Sequence, residues 1–165
     1  MLEINYEEDR VFLDLDGVIL DTQQRVVNLQ DPEHYDWSEQ FFKNIDWQIL
    51  FEEAKPINNS IEILKEIQQY YKKIQILSKF NVIEEANIKV AYMREKGIEI
   101  PINLTPVGTK KSTQIGILTP TCILVDDMTK NVEDWNNKGG KGIHFSENIK
   151  IETPTKVKSL EFLLR

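Results

Sequence analysis

Short runs of apolar residues alternate along the chain with longer segments in which apolar residues recur every three or four positions. A continuous apolar run of about four to eight residues is typical of a buried strand, and the wider spacing is typical of a helix with one buried face. Because helical segments separate the strands, the pattern predicts a parallel sheet with helices on both faces, an α/β fold. The predicted strands are residues 11–15, 73–77, 102–104, 121–125 and 142–145.

Local signals predict where the helices begin and end. Asn59 to Glu62 and Asn81 to Glu84 each have the spacing of a capping box, with Asn as the capping residue. The second of these helices is predicted to end at Gly97. Further helices are predicted from near Lys110, from Thr129 to Lys138, and at the C-terminus, where Val157, Leu160 and Leu164 have helical spacing.

Residues 23–56 differ from the rest of the chain, because they are polar and rich in aromatic side chains. Pro32 and Pro56 bracket most of the segment, and Ser38 is placed to cap a helix with Phe41, Ile45 and Ile49 on one face. We interpret the segment as a small helical insertion that leaves the sheet after the first strand. Its aromatic residues include Tyr35, Trp37, Phe41, Phe42, Trp47 and Phe51.

Polar residues follow three of the predicted strands. Asp14 and Asp16 end the first strand and would point to the same side of it, Ser78 follows the second, and Asp126-Asp127 follow the strand at 121–125. In a parallel sheet these positions share one edge, where ligands bind. Two acids on one face of a buried strand are costly unless they bind a cation or do chemistry. An Asp-x-Asp-Gly stretch is also compatible with a calcium loop or a solvated acidic turn.

Composition and charge narrow the function classes. The 165 residues carry a net charge of −7, with 41% apolar and 28% charged residues, as in an ordinary globular domain. An acidic chain of this kind is not expected to bind a nucleic-acid duplex, whose partners are basic. The single cysteine, Cys122, excludes an intramolecular disulfide. No stretch has the apolar length of a membrane span, and we expect a cytoplasmic protein without membrane contact.

The stretch Asp14-Leu15-Asp16-Gly17-Val18 resembles motif I of the haloacid dehalogenase-like (HAD) phosphohydrolases. The stretch from Ile123 to Asn131, with its Asp-Asp pair, is similar to motif IV, and Ser78 and a lysine at 110–111 fit motifs II and III in order and spacing. The resemblance implies a Rossmann-like three-layer sandwich with a central parallel sheet. It implies a core of residues 1–22 and 57–165 and a C1-type cap at 23–56.

The resemblance also implies roles for these residues. Asp14 would be the nucleophile that forms an aspartyl-phosphate, and Asp16 would protonate the leaving oxygen and then activate water. A Mg²⁺ ion would be bound by Asp14, by the backbone carbonyl of Asp16 and by Asp126, with Asp127 and Asn131 acting around these ligands or through water. Gly17 would let the chain pass close to the bound phosphate. Ser78 and Lys111 would contact the phosphate.

Several alternatives stay open at the level of single residues. Lys110 competes with Lys111 as the phosphate lysine, because the two are adjacent. Asp127 could instead cap the helix that starts at Thr129, Asn131 could be a solvated residue of that helix, and Ser78 could be a turn residue. His34 and His144 have no metal-ligand spacing and are expected at the surface or in the core.

Two stretches, 39–45 in the insertion and 134–143 near the end, are similar to the 5'(3')-deoxyribonucleotidase subgroup, in which cap aromatic side chains lie over the base. The prediction is therefore a Mg²⁺-dependent phosphomonoester hydrolase whose partner is a small phosphomonoester, with a nucleotide as the candidate substrate. The insertion's aromatic residues could instead form its own small core. The competing functions are a non-catalytic phosphate- or phosphoprotein-binding module and a response-regulator receiver domain. In a receiver the acidic pair follows the first strand, whereas here it comes late in the chain.

Overall fold

The computed structural model describes residues 2–164, which form a six-stranded sheet and its surrounding helices. The strands are β1 Arg10–Leu13, β2 Ile74–Phe80, β3 Ile102–Pro106, β4 Cys122–Asp126, β5 Lys141–Phe145 and β6 Lys156–Val157. The α-helices are α1 Thr22–Asn28, α2 Glu39–Lys43, α3 Trp47–Glu53, α4 Ser60–Ile67, α5 Ile83–Glu95, α6 Lys111–Ile115 and α7 Thr129–Asn137, and a 3₁₀ turn covers Glu161–Leu163.

All strand pairs are parallel, and the strand order is β3-β2-β1-β4-β5-β6. The predicted α/β fold with a central parallel sheet is confirmed. The first strand lies in the middle, where Leu13 is level with Ile76 of β2 on one side and with Val125 of β4 on the other. The chain runs outward from β1 in one direction and returns to β4 to run in the other. A ligand crevice is expected at this reversal, outside the carboxyl ends of β1 and β4.

Both faces of the sheet are buried, as a parallel sheet between helical layers requires. Successive side chains of β1 point to opposite faces. Val11 and Leu13 belong to the larger apolar cluster with residues of α4 and α5, whereas Phe12 belongs to a smaller cluster with Trp135 of α7. Burial of these apolar side chains fixes the position of the strand ends that carry the polar residues.

The insertion between β1 and α4 contains three short helices, and the helix predicted from Ser38 to beyond Ile49 is divided into α2 and α3. Ser38 does cap α2, since its hydroxyl accepts a hydrogen bond of 3.2 Å from the Phe41 backbone. The helix ends at Lys43, however, and Asp46 caps a new helix by accepting from the Ile49 backbone at 3.1 Å. An Asp with cap geometry competes with helix continuation.

The entry and exit of this insertion are bonded to each other. Leu20 and Pro56 form an antiparallel bridge, the Asp21 amide donates to the Lys55 carbonyl at 3.0 Å, and the Ile57 amide donates to the Ile19 carbonyl at 2.9 Å. The insertion is also anchored on the core, because Phe51 of α3 packs edge-to-face on Tyr92 of α5.

Three other local predictions were wrong. The C-terminal helix is replaced by β6 and the 3₁₀ turn; Val157 pairs with Phe145 at the sheet edge, and Val157 and Leu160 are buried without a helix. Asn59 precedes α4 in a left-handed conformation with φ of +63° and makes no side-chain cap. At α5 the acceptor is Glu85 rather than Glu84, and it bonds the Asn81 amide at 2.7 Å.

Candidate active site

The predicted site residues converge at the carboxyl ends of the central strands. Asp14 and Asp16 follow β1, Asp126 is the last residue of β4, and Asp127 follows it. Lys111 is the first residue of α6 and lies beside them. A cavity of about 360 Å³ opens here between the sheet edge and the helical insertion. Its polar lining includes Asp14, Asp16, Lys79, Glu85, Lys111, Asp127 and Asn131.

Lys111 joins two of the carboxylates. Its buried Nζ lies 2.8 Å from Asp14 Oδ1 and 2.7 Å from Asp126 Oδ2. Burial alone would lower the pKa of Lys111, but the two carboxylates raise it above its usual value, so this lysine stays charged. Lys110 points away from the site and pairs with Asp134 at 2.9 Å near the surface. The structure therefore places Lys111, and not Lys110, among the acidic residues.

The Asp126 carboxylate is held by donors on every side. Besides Lys111, it accepts from the Met128 amide at 2.9 Å and from Asn131 Nδ2 at 3.1 Å to each oxygen. These contacts give Asn131 a definite place beside the acidic pair.

Asp127 has the opposite environment. Its Oδ1 is buried and has no hydrogen-bond partner within residues 2–164. Burial, and then the neighbouring Asp126, raise the pKa of Asp127 to about 7. Gly17 makes room for this side chain: a Cβ at that position, where φ is +81°, would lie 2.2 Å from Asp127 Oδ2. No residue other than glycine fits there without displacing Asp127.

These acids fit a divalent cation. One oxygen from each of Asp14, Asp126 and Asp127 lies within 4.8 Å of the others. Burial raises the pKa of Asp14 well above its usual value, and the nearby Asp126, Asp16 and Asp127 raise it further against the effect of Lys111. A buried carboxylate oxygen without a partner, next to other carboxylates, is the environment that a hard cation such as Mg²⁺ satisfies. Neither histidine belongs to the group; His34 is exposed and His144 is half-buried on β5.

Asp16 is held separately from the other acids. Its Oδ1 accepts from the Thr22 hydroxyl at 2.6 Å, and its Oδ2 accepts from Lys89 Nζ at 2.7 Å and from the Ser78 hydroxyl at 3.2 Å. Burial alone would raise the pKa of Asp16, but Lys89 and the two hydroxyls lower it below the usual value. Asp14 and Asp16 therefore lie at one cavity with pKa shifts of opposite direction: without a bound cation, burial favours the neutral form of Asp14, whereas Lys89 and the two hydroxyls favour the carboxylate form of Asp16.

Two lysines that sequence reasoning left without a role also lie here. Ser78 is fully buried within β2 and bonds Asp16, whereas the next residue, Lys79, lines the cavity with its Nζ 3.5 Å from Asn131 Oδ1. Burial and the nearby Lys111 lower the pKa of Lys79. Lys89 was missed altogether. The available signal was a Glu85-Lys89 pair, four residues apart, on the same buried face of α5 as Ala86 and Met93.

Apolar side chains also line the cavity. Trp37 is 52% exposed, while Phe42 and Trp47 are buried and pack with their rings stacked at 6.5 Å between centroids. Trp47 also donates from Nε1 to the Phe42 carbonyl at 3.0 Å. Phe42 and Trp47 thus belong to the core of the insertion, as the alternative expected, and also face the cavity. The apolar lining consists of Val26, Trp37, Phe42, Trp47, Val107 and Met128.

Comparison with known proteins identifies the class of fold. No protein-family model matches the chain, and no curated protein matches it in sequence. Solved structures of HAD hydrolases do match it in three dimensions. A HAD family hydrolase from Deinococcus radiodurans R1, with bound phosphate and sodium, has a TM-score of 0.58 and 13% identity over 94% of this chain and 92% of that one.

Two further structures show the same architecture. A HAD-superfamily hydrolase from Ehrlichia chaffeensis has a TM-score of 0.56 and 11% identity, covering 96% of this chain and 94% of that one. D,D-heptose 1,7-bisphosphate phosphatase from B. bronchiseptica, complexed with magnesium and phosphate, has a TM-score of 0.51 and 12% identity, covering 90% and 91%. The chain therefore has the α/β Rossmann-like fold of HAD hydrolases. Within residues 2–164, no helix combines the length and the apolar character needed to cross a membrane.

Proposed function

We propose that this protein is a Mg²⁺-dependent phosphomonoester hydrolase that acts through an aspartyl-phosphate on Asp14. The observation that carries the proposal is the pairing of two differently held carboxylates, Asp14 and Asp16, at one cavity with a buried lysine and a third, unpaired acid, Asp127. Hydrolase and phosphatase neighbours with the same fold support the reaction class.

Asp14 would attack the phosphorus atom. Lys111 and the Leu15 amide both contact its Oδ1, at 2.8 Å each, so Oδ2 is left for the new bond to phosphorus. As that bond forms, the ester P–O bond breaks and the leaving oxygen takes a proton from Asp16. Water then attacks the phosphorus of the aspartyl-phosphate and returns a proton to Asp16, which releases phosphate and restores Asp14.

The charge on the phosphoryl group must be neutralised for this attack. Mg²⁺ bound among Asp14, Asp126, Asp127 and the Asp16 carbonyl would supply positive charge to the phosphoryl oxygens and lower the pKa of Asp14. Lys111 supplies a second, permanent positive charge. Lys79 lines the same cavity, so we assign it the contact with the phosphate that the sequence suggested for Ser78, whose hydroxyl bonds Asp16.

We further propose a nucleoside monophosphate as the substrate class, because three aromatic residues of the insertion, Trp37, Phe42 and Trp47, line the same cavity as the charged residues. Stacking on a base is worth roughly 1–3 kcal/mol per contact. Trp37 is the ring to test, since it lines the cavity without being buried in the insertion's core. Trp37→Ala should lower kcat/KM for a deoxynucleoside monophosphate by about tenfold and spare a small phosphate.

Tyr35→Ala is the matched control, because Tyr35 stacks on Trp37 at 6.1 Å but does not line the cavity. The experiment incubates each protein with Mg²⁺ and a panel of phosphomonoesters and measures phosphate release. Equal losses on nucleotide and small phosphate would reject base recognition. Phosphate binding without release from any ester would reject catalysis and favour a phosphate-binding module on this scaffold.

A further inference from the structure

Lys89 is a fully buried charged group with no exposed surface, like Asp126. It lies on α5, outside the motifs that the sequence resembles. Its ammonium group is 2.7 Å from Asp16 Oδ2 and 2.8 Å from Glu85 Oε1. It also contacts the Ser78 hydroxyl at 3.3 Å and the Lys79 carbonyl.

A buried lysine lowers the stability of the fold unless its charge makes favourable contacts or has a function. Burying an ammonium group sacrifices its hydration, and an apolar residue of similar volume is often as stable or more stable. The neighbouring buried residues Ala86 and Met93 show that this face of α5 packs with apolar side chains. At position 89 the chain instead has a lysine that donates a hydrogen bond to Asp16, 73 positions earlier in the chain.

The contacts fix one orientation of Asp16. Lys89 and Ser78 hold Oδ2, and Thr22 holds Oδ1 at 2.6 Å from the other side. Lys111 makes no such contact, because its two partners are Asp14 and Asp126. The two buried lysines thus contact different acids: Lys111 binds Asp14, the attacking carboxylate, and Lys89 binds Asp16, the group that transfers protons.

We propose that Lys89 is a positioning residue that holds the Asp16 carboxylate in place for proton transfer to the leaving oxygen. The inference rests on the proposed hydrolase function. It has a specific consequence, because only a poor leaving group needs a proton in order to depart. Loss of Lys89 should therefore lower kcat/KM for an alkyl phosphate and should spare kcat/KM for p-nitrophenyl phosphate, whose leaving group is a stable anion. This ratio reports the steps up to formation of the aspartyl-phosphate, and so it excludes the later attack by water, which both substrates share.

The test measures kcat/KM of Lys89→Met on an alkyl phosphate and on p-nitrophenyl phosphate. General acid–base catalysis contributes about 10²–10⁴-fold, so mispositioning should cost about ten- to a hundredfold on the alkyl phosphate and less than about threefold on the aryl phosphate. Asp16→Asn should show the same selectivity more strongly. The double variant Asp16→Asn/Lys89→Met should be no worse than Asp16→Asn alone, because residues that act as a unit are not additive.

A second variant keeps the test valid if Lys89→Met is unstable. Glu85→Gln/Lys89→Met removes the unpaired buried carboxylate that the single change would leave behind, and it carries the same prediction. The positioning role would be overturned by equal losses of kcat/KM on both phosphates, or by a double variant Asp16→Asn/Lys89→Met that is much less active than Asp16→Asn. Either result would leave the proposed hydrolase function standing. A wild-type protein that hydrolyses neither ester would overturn both.

Discussion

Replacing Lys111 by Met tests whether the site depends on one buried cation. The side chains are similar in length, so the change removes a charge with little change in volume. It leaves Asp14 and Asp126 without the ammonium group that lies 2.8 Å and 2.7 Å from them. Removing one partner of a buried ion pair costs about 3–5 kcal/mol, because the remaining charge stays buried and unpaired.

This free energy converts to a large thermal shift. For a domain of 150–250 residues, each 1 kcal/mol changes Tm by about 2–4 °C, so Lys111→Met should unfold about 6–20 °C below wild type at neutral pH. The deficit should shrink in acid, since protonation of Asp14 removes an unpaired charge. Urea unfolding at several pH values measures it as a change in midpoint at constant slope. Phosphatase activity should fall to near background.

Lys110→Met is the control, one residue away and chemically identical. Its partner Asp134 lies at 2.9 Å near the surface, where an ion pair is worth about 0–1 kcal/mol. Activity should be close to wild type. If the two variants have equal stability and activity, the reasoning about Lys111 is refuted. If Lys110→Met alone loses activity, the alternative lysine is the functional one.

Three further predictions concern the acidic residues. Asp14→Asn should abolish turnover while circular dichroism shows an intact fold; turnover near the wild-type rate would exclude it as the nucleophile. Chelation should abolish activity. Mg²⁺ should raise the Tm of wild type much more than that of Gly17→Ala, because the added methyl displaces Asp127; an equal rise in both proteins would contradict this. Without Mg²⁺, Gly17→Ala should already unfold at a lower temperature, because the φ of +81° costs about 1–2 kcal/mol for alanine. In the metal-free protein the pKa of Asp127 is raised to about 7, so between about pH 4 and 7 the folded state holds a proton that the unfolded state has released, and the free energy of unfolding falls as pH rises through this range. Asp127→Asn should remove this fall in urea unfolding measured at several pH values. The same dependence of the unfolding free energy on pH in both proteins would contradict the prediction.

The sequence predicted the parts of the site that local patterns determine. An apolar run followed by Asp14 and Asp16 defines both a strand and its carboxyl end, and the run before Asp126 does the same. In a parallel sheet such ends lie at one edge, so the sequence alone predicts that these acids lie together. The α/β fold follows from the same alternation of strand and helix patterns.

The remainder depended on details that local patterns do not determine. The strand predicted to end before Ser78 continues to Phe80, so Ser78 and Lys79 both lie within it and point to opposite faces, and it is Lys79 that lines the cavity. Lys89 reaches Asp16 across 73 residues of sequence, a contact that only the packing of α5 on the sheet creates. Val157 has helical spacing, but an unpaired edge of β5 offered backbone hydrogen bonds that favour a strand.

The bonded entry and exit of the insertion have an evolutionary consequence. Because Leu20 and Pro56 are neighbours, a segment of almost any length whose ends meet could replace residues 22–55 without changing the separation of β1 from α4. Selection can therefore lengthen, shorten or exchange the segment that faces the substrate while Asp14 and Asp126 keep their positions. On such a scaffold, substrate preference can diverge between descendants faster than the chemistry does.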